Sequence, residues 1–298
     1  MTAATASWKL LPRQRLSLPA RWRNPVGIAG AVMVGFVVLT TLFGHLIWRI
    51  DPNNPAWTRL QAPSWAHPMG TDDLGRDTLA RVIHGAQVSL YVGAIAVGIS
   101  LCAGLVIGLI SAYYRGIVDL VLMRLVDIVF AFPLLVLAIL IVGLLGPSRR
   151  NAMIAIGIVY APAFARVIRG AALEVLGFPF IESARSLGAN DVRIITRHVL
   201  PNIVAPLIVL TTVYFSQAIL GEAFLSFLGL GTQPPEAAWG NMLSTARNFV
   251  ESSVWMSVFP GLAIMFAVLG FNFLGDGLRD VLDPRLGGVA DEIVVKAK

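Results

Sequence analysis

A few charged side chains lie beside long apolar stretches and are the residues best placed for transport chemistry. Arg124 and Asp127 are three residues apart, which puts them on one face of a helix. Glu222 ends another apolar stretch. Ionisable groups at a membrane-spanning helix often line a path or gate, and we predict that role for these three residues. A structural ion pair at the membrane edge is the alternative for Arg124 and Asp127.

A second charged cluster, Asp72, Asp73, Arg76 and Asp77, lies in a segment rich in proline and tryptophan. Such a cluster can contact another protein outside the membrane. The same four residues can instead satisfy one another in a hydrogen-bonded turn, because Asp side chains readily accept from nearby backbone N–H groups.

The residues needed for catalysis or metal binding are missing or scattered. The four histidines lie in separate segments with no H-x-x-x-H or H-E-x-x-H spacing, and the chain has one cysteine, Cys102. Lysine occurs only in the tails, at Lys9, Lys296 and Lys298, so the internal lysine of a phosphate-binding P-loop is absent. We therefore predict no metal site, no cofactor and no ATP hydrolysis by this chain.

The elements that position these residues follow from composition. Of 298 residues, 56% are hydrophobic and 13% are charged, and the mean hydropathy is +0.75, which predicts an all-α polytopic membrane protein. Gly104 and Gly108 have the spacing for close helix approach. Pro133, Pro162, Pro206 and Pro260 lie within apolar runs. Six transmembrane helices are predicted, at residues 27–48, 88–113, 128–145, 152–167, 203–220 and 254–274.

The distribution of arginine and lysine predicts the orientation. With both termini in the cytoplasm, 16 of the 23 cationic residues fall on the inner side. This assigns residues 1–26 and 287–298 to cytoplasmic tails, 49–87 to an outer loop and 88–286 to a core of five spans. The excess of positive charge reflects topology, and nucleic-acid binding is not predicted. The apolar stretch 224–230 is too short to span and is expected to dip into the membrane or cap the bundle.

The segment between the fourth and fifth spans, residues 179–201, has the local signals of two short helices. Pro179 suits a first helical position, Gly188 a left-handed end, and Asn190 or Asp191 the next N-cap. The second helix is expected to share one apolar face between Val192, Ile195 and Val199. The pair could project as a knob towards another protein, or lie as an amphipathic loop on anionic lipid.

Residues of this segment resemble the EAA motif of ABC-transporter permease subunits: E-A-A, three residues, G, nine residues, I-x-L-P. The matching positions are Glu182, Ser183, Ala184, Gly188, His198, Leu200 and Pro201, with Ser183 in place of alanine and His198 in place of isoleucine. Residues 67–77 (HPMGTDDLGRD), 225–231 (LSFLGLG) and 271–285 (FNFLGDGLRDVLDPR) are similar to further blocks of the dipeptide/oligopeptide/nickel permeases, C-type.

This resemblance implies a type I ABC importer-like transmembrane domain in a bacterial inner membrane. It also implies a second homologous permease subunit, two ATP-binding subunits that dock on the EAA segment, and an extracytoplasmic substrate-binding protein. Gly188 is expected where a Cβ atom would clash. The cargo stays open among dipeptides, oligopeptides, nickel or metal chelates and glutathione-like molecules. A self-contained secondary transporter or channel, or an intramembrane enzyme, is the alternative.

Overall fold

The described part of the chain, residues 24–282 of a computed structural model, is helical and holds no strand apart from an isolated bridge between Thr71 and Asp77. The helices are α1 (Pro25–Ile47), α2 (Thr78–Tyr114), α3 (Gly116–Phe130), α4 (Leu134–Leu145), α5 (Arg149–Leu176), α6 (Pro179–Ser186), α7 (Asp191–Ile194), α8 (Leu200–Phe227), α9 (Trp239–Ala246) and α10 (Trp255–Leu282). A π-turn (Ile195–Val199) joins α7 to α8, and a 3₁₀ turn (Arg247–Phe249) follows α9.

Five helical stretches in the described range are long and apolar enough to cross a membrane: α1, α2, α5, the continuous Asp191–Phe227 and α10. A sixth span results if the pair α3 and α4 is counted as one. The all-α polytopic fold is therefore confirmed. The predicted C-terminal tail lies wholly outside the described residues, and the predicted N-terminal tail lies outside them except for residues 24–26.

The third apolar run is broken rather than continuous, since α3 and α4 meet at a bend of 90°. Pro133 stands immediately before α4 and cannot donate a backbone hydrogen bond. Its ring also disfavours a helical backbone at Phe132. The chain therefore turns within the run that the sequence predicts as a single span interrupted by proline.

The second span begins ten residues earlier than predicted. The Asp77 carboxylate accepts from the Ala80 backbone N–H at 2.8 Å and caps α2. The predicted outer loop 49–87 therefore ends at Asp77 as an irregular segment. At the other boundary, Phe224–Phe227 is the last turn of α8, so the short apolar stretch is partly a continuation of the fifth span.

The core lies between α2, α5 and α8, with the closest approach at two glycines of α2. A Cβ atom on Gly104 would stand 2.3 Å from the Phe164 Cβ, and one on Gly108 would stand 2.6 Å from the Ala165 carbonyl oxygen. The small-residue spacing thus brings α2 and α5 together as the sequence indicates. On the periphery, α1 packs against α10.

The chain has two distinguishable ends. Trp48 and Asp77 lie at one end, where α1 stops and α2 starts. Tyr113 at the last turn of α2 contacts Asp191, so residues 179–201 lie at the opposite end. The Asn24 amide donates to Asp280 at 2.5 Å and fixes the ends of α1 and α10 there.

Candidate functional site

We define residues 179–201 as the coupling segment. Its helices begin and end at the residues whose types predict a helix start or end in the sequence. Pro179 is the first residue of α6, and Gly188 has φ +80°. The N–H groups of Ala189 and Gly188 donate to the carbonyls of Ala184 and Arg185 at 3.1 and 2.9 Å, which is a Schellman ending. The Asn190 side chain then accepts from the Arg193 N–H at 2.9 Å and caps the next helix.

The expectation that a Cβ atom on Gly188 would clash is wrong. No atom of the described chain lies within 4 Å of the position that this Cβ would take. Glycine is favoured here because φ of +80° is a left-handed backbone that L-residues with side chains rarely adopt. The space around Gly188 is open.

The predicted apolar face of the second helix is also wrong in register. Val192 is 68% exposed, whereas Ile194 and Val199 are each 1% exposed. The π-turn at Ile195–Val199 has i→i+5 hydrogen bonds and therefore accommodates one extra residue. As a result, residues five apart face the core together, which a 3.6-residue period does not anticipate.

The inner side of the coupling segment is anchored in the core. Ile181, Ile194 and Val199 belong to the same buried cluster as Ala172 and Val175 of α5.

A polar contact fixes the segment to α2 as well. The Tyr113 hydroxyl donates to the Asp191 carboxylate at 2.6 Å, and the Arg185 guanidinium lies 5.6 Å from the centre of the Tyr113 ring. The coupling segment is thus held to the ends of α2 and α5 and is continuous with α8.

The outer side of the segment exposes both charged and apolar groups. Leu187, in the turn, is 89% exposed, and Val192 is the next most exposed apolar residue of the segment. Of the predicted coupling residues, Glu182, Ser183, Gly188 and Pro201 are exposed, while Ala184, His198 and Leu200 are partly buried. Leu187 is not part of the motif and is not predicted from the sequence, whereas Val192 is predicted on an apolar face and is exposed instead.

The predicted pair Arg124 and Asp127 lies at the same end, in an open depression between α3 and α5 of about 410 Å³. The two charges are 3.8 Å apart, but Asp127 has a closer partner in Arg166, at 2.9 Å. A second pair, Asp119 with Arg169, joins the same two helices at 2.5 Å. Neither arginine is predicted as a partner from the sequence, since the two lie at least 39 residues away along the chain.

Glu222, predicted as a pathway or gate residue, is enclosed by the protein. It is 1% exposed. Its carboxylate accepts from the hydroxyls of Ser226 at 2.6 Å, Thr232 at 3.3 Å and Ser89 at 3.5 Å. These contacts join α2, α8 and the turn after α8, so Glu222 holds these elements together and does not line an open path in this structure.

In the cluster at the opposite end, Asp73 Oδ1 is buried without a hydrogen-bond partner among the described residues, whereas Asp72 is the centre of a turn network. The Asp72 carboxylate accepts from the N–H groups of Leu74 and Arg76 at 3.0 and 2.8 Å, and from the Arg76 guanidinium at 2.6 Å. Arg81 lies 3.5 Å away.

Asp77, in the same cluster, joins three elements. Its carboxylate is fully buried and contacts His67 Nδ1 at 2.8 Å and the Trp48 indole N–H at 3.0 Å, besides capping α2. Asp72, Arg76 and Asp77 are buried and Asp73 is partly exposed, so the first three build the fold of this segment.

Comparison with known proteins assigns the family. Residues 104–288 match the family described as binding-protein-dependent transport system inner membrane component. The chain belongs to this family. Its matched region contains the coupling segment and the two ion pairs between α3 and α5, whereas α1 and the irregular segment 48–77 precede it.

Relatives of this family member align along most of its length. It is 46% identical to the dipeptide transport system permease protein DppC of Alkalihalophilus pseudofirmus, over 89% of this chain and 87% of the relative. It is 42% identical to the di/tripeptide transport system permease protein DppC of Pseudomonas aeruginosa, over 90% of each. It is 41% identical to the glutathione transport system permease protein GsiD of Pectobacterium atrosepticum, over 89% and 88%.

Solved structures support the fold. The inward-facing MetNI methionine ABC transporter superposes with a TM-score of 0.56 at 19% identity, covering 68% of this chain and 96% of that chain. An amino acid ABC transporter solved with histidines gives 0.54 at 21%, covering 67% and 92%. The fold is thus that of an ABC importer membrane subunit, and the family member is a multi-pass inner membrane component.

Proposed function

We propose that this chain is the C-type permease subunit of an ATP-driven importer of short peptides and forms half of the translocation pathway. The peptide cargo follows from the names of relatives with 42–46% identity. The chain would work with a second homologous permease, two ATP-binding subunits and a substrate-binding protein. ATP would be hydrolysed by the partner subunits, and both termini would lie in the cytoplasm.

One observation carries this proposal: the coupling segment is rigid on its inner side and open on its outer side. Ile181, Ile194 and Val199 are each 1% exposed and continuous with the core, so a force on the segment reaches α5 and α8. Its outer side presents Leu187 beside charged residues. An exposed apolar group with a polar surround is typical of a protein contact.

The lipid-surface alternative places the same residues in a bilayer interface. An interfacial helix has a broad apolar face that enters the headgroup region. In the coupling segment, Ile181 and Ile194, which would belong to such a face, are buried in the core, and Leu187 lies in the turn between helices. The arrangement therefore favours a protein partner over lipid.

A crosslinking experiment tests the coupling role. The native cysteine is exposed, so the background is Cys102→Ser. In this background, Leu187→Cys is compared with Trp65→Cys, which lies at the opposite end and is at least as exposed. A crosslinker with a thiol-reactive maleimide at one end and a photoreactive benzophenone at the other needs no cysteine on the partner. It should join Leu187→Cys to an ATP-binding subunit in native membranes, and should not join Trp65→Cys to it. The coupling role would be overturned if Trp65→Cys is crosslinked to the ATP-binding subunit, or if neither variant is.

One observation favours the alternative function, a self-contained secondary transporter. The carboxylate of Glu222 is buried inside an apolar helix, and ionisable groups within spans often take part in transport. Reconstitution separates the two functions. The purified chain alone in liposomes should not accumulate a labelled dipeptide, whereas the assembly with ATP and binding protein should. Accumulation by the chain alone, driven by an ion gradient, would support the alternative.

A further inference from the structure

The face of α8 opposite its core side carries an exposed carboxamide, Gln217. The residue lies 17 positions after Leu200 and 10 before Phe227, about 26 and 15 Å along the helix axis, and so deep within the span. Its side chain has no hydrogen-bond partner among the described residues. In this stretch of α8 the hydroxyls of Thr211 and Ser216 bond to backbone carbonyls, whereas the Glu222 carboxylate is buried.

Gln217 lies in the wall of a depression of about 620 Å³ between α4, α5, α8, α9 and α10. Val213, Leu220 and Phe224 share its side of α8, at helical spacing. Tyr160 and Tyr214 stand beside it, with ring centres 5.1 Å apart. Among the described residues, no charged side chain contributes to the lining.

The position of Gln217 is held by α5. The Tyr160 hydroxyl donates to the Gln217 backbone carbonyl at 3.1 Å. Tyr214 packs against Phe164, whose side chain is fully buried in the core. The carboxamide is therefore presented by two packed helices rather than by a loop.

Lipid is a poor neighbour for such a face, because an unpaired carboxamide in hydrocarbon loses its hydrogen bonds to water. The face must be covered by water or by a group that bonds to the amide. A glutamine side chain offers one carbonyl acceptor and two N–H donors, which match the N–H and C=O of a peptide bond. The aromatic and aliphatic rim accommodates side chains of different kinds by apolar contact.

We propose that Gln217, with Tyr214 and Phe224 beside it, is a substrate contact of the translocation pathway that binds the backbone amide of a passing peptide. This inference rests on the proposed function and deepens it. Because the site is uncharged and shallow, it recognises the backbone amide that all peptides share. Another subunit selects among peptides with different side chains. The site gives weak binding, as conduction requires.

Solvent access is the first test, made in the Cys102→Ser background. Gln217→Cys is compared with Ile208→Cys, which lies nine residues earlier on α8 and therefore faces the opposite side of the helix. In the assembly with its partners, a charged thiol reagent in water should modify Gln217→Cys several-fold faster than Ile208→Cys. Loading with trialanine should slow the modification. Equal rates at the two positions would mean that lipid or the second permease covers Gln217, and would overturn the proposal.

Transport is the second test, with Gln217→Met as an isosteric variant without the amide and Ile208→Met as its control. One neutral hydrogen bond corresponds to roughly a five-fold effect, so Gln217→Met should lower trialanine uptake per ATP hydrolysed about five-fold. Ile208→Met should leave uptake unchanged. Unchanged uptake in Gln217→Met would refute the substrate contact, while failure of the unsubstituted assembly to import any peptide would refute the proposed function itself.

Discussion

Replacement of Gly188 tests whether the coupling segment acts through its backbone shape. The residue has φ +80° and supports the Schellman ending of α6. A left-handed backbone costs an ordinary L-residue about 1–2 kcal/mol, and more for a β-branched one. This free energy lowers the ratio of molecules with the native turn to molecules with a displaced turn about 5- to 30-fold. Gly188→Val should therefore deform the turn while leaving the buried anchors Ile181 and Ile194 in place.

The reconstituted assembly gives the measurement. Gly188→Val should insert in normal amount, but the ATPase activity stimulated by loaded binding protein, and peptide uptake per ATP, should fall. Gly188→Asn is the matched control, because asparagine tolerates the left-handed conformation and the space around the residue is open. It should retain most of the coupling. Equal coupling in Gly188→Val and the unsubstituted chain would refute the backbone argument, and equal damage by both variants would point to bulk instead.

Three further substitutions test the packing of the spans, each by thermal unfolding in detergent. Asp77→Ala removes the α2 cap and leaves His67 and Trp48 without their buried partner. It should therefore lower the free energy of unfolding by about 2–4 kcal/mol. Asp77→Asn should lower it by less. Glu222→Ala should cost about 1–3 kcal/mol, whereas Glu222→Gln keeps an acceptor for the same hydroxyls and should lie within about 1 kcal/mol of the unsubstituted chain. Gly30→Ala should separate α1 from α10, since its Cβ would stand 2.2 Å from the Leu274 nitrogen. Gly35→Ala meets nothing within 4 Å and should be neutral. Equal melting temperatures of the two variants would refute the contact between α1 and α10.

Local features of the coupling segment could be predicted because each depends on a few adjacent residues. Pro179, Gly188 and Asn190 act on the backbone within one turn, and the structure has each in the expected role. The apolar face could not be predicted, because the π-turn at Ile195–Val199 changes the period locally. Nothing in the pattern of Val192, Ile195 and Val199 distinguishes the two registers.

Features that depend on distant partners were partly or wholly missed. Asp127 has its closest cation in Arg166, on another helix, and helical spacing alone indicated Arg124. Glu222 was recognised as a carboxylate beside an apolar run, but the hydroxyl of Ser89 that helps to enclose it comes from α2. Sequence spacing reports neighbours on the same helix, whereas burial is decided by how the helices pack.

The coupling segment and the proposed pathway contact are parts of one mechanical element. Asp191–Phe227 is a continuous helical stretch of 37 residues, about 55 Å long, with Ile194 at one end and Gln217 well along its length. Movement of the coupling segment need not pass through a loop to reach Gln217. Pro201 and Pro206 lie between them and are sites where such a helix can bend, since each proline removes one backbone hydrogen bond. The bond from Tyr160 to the Gln217 carbonyl and the shared buried core join α5 to α8, so we expect the two helices to move as a pair during transport.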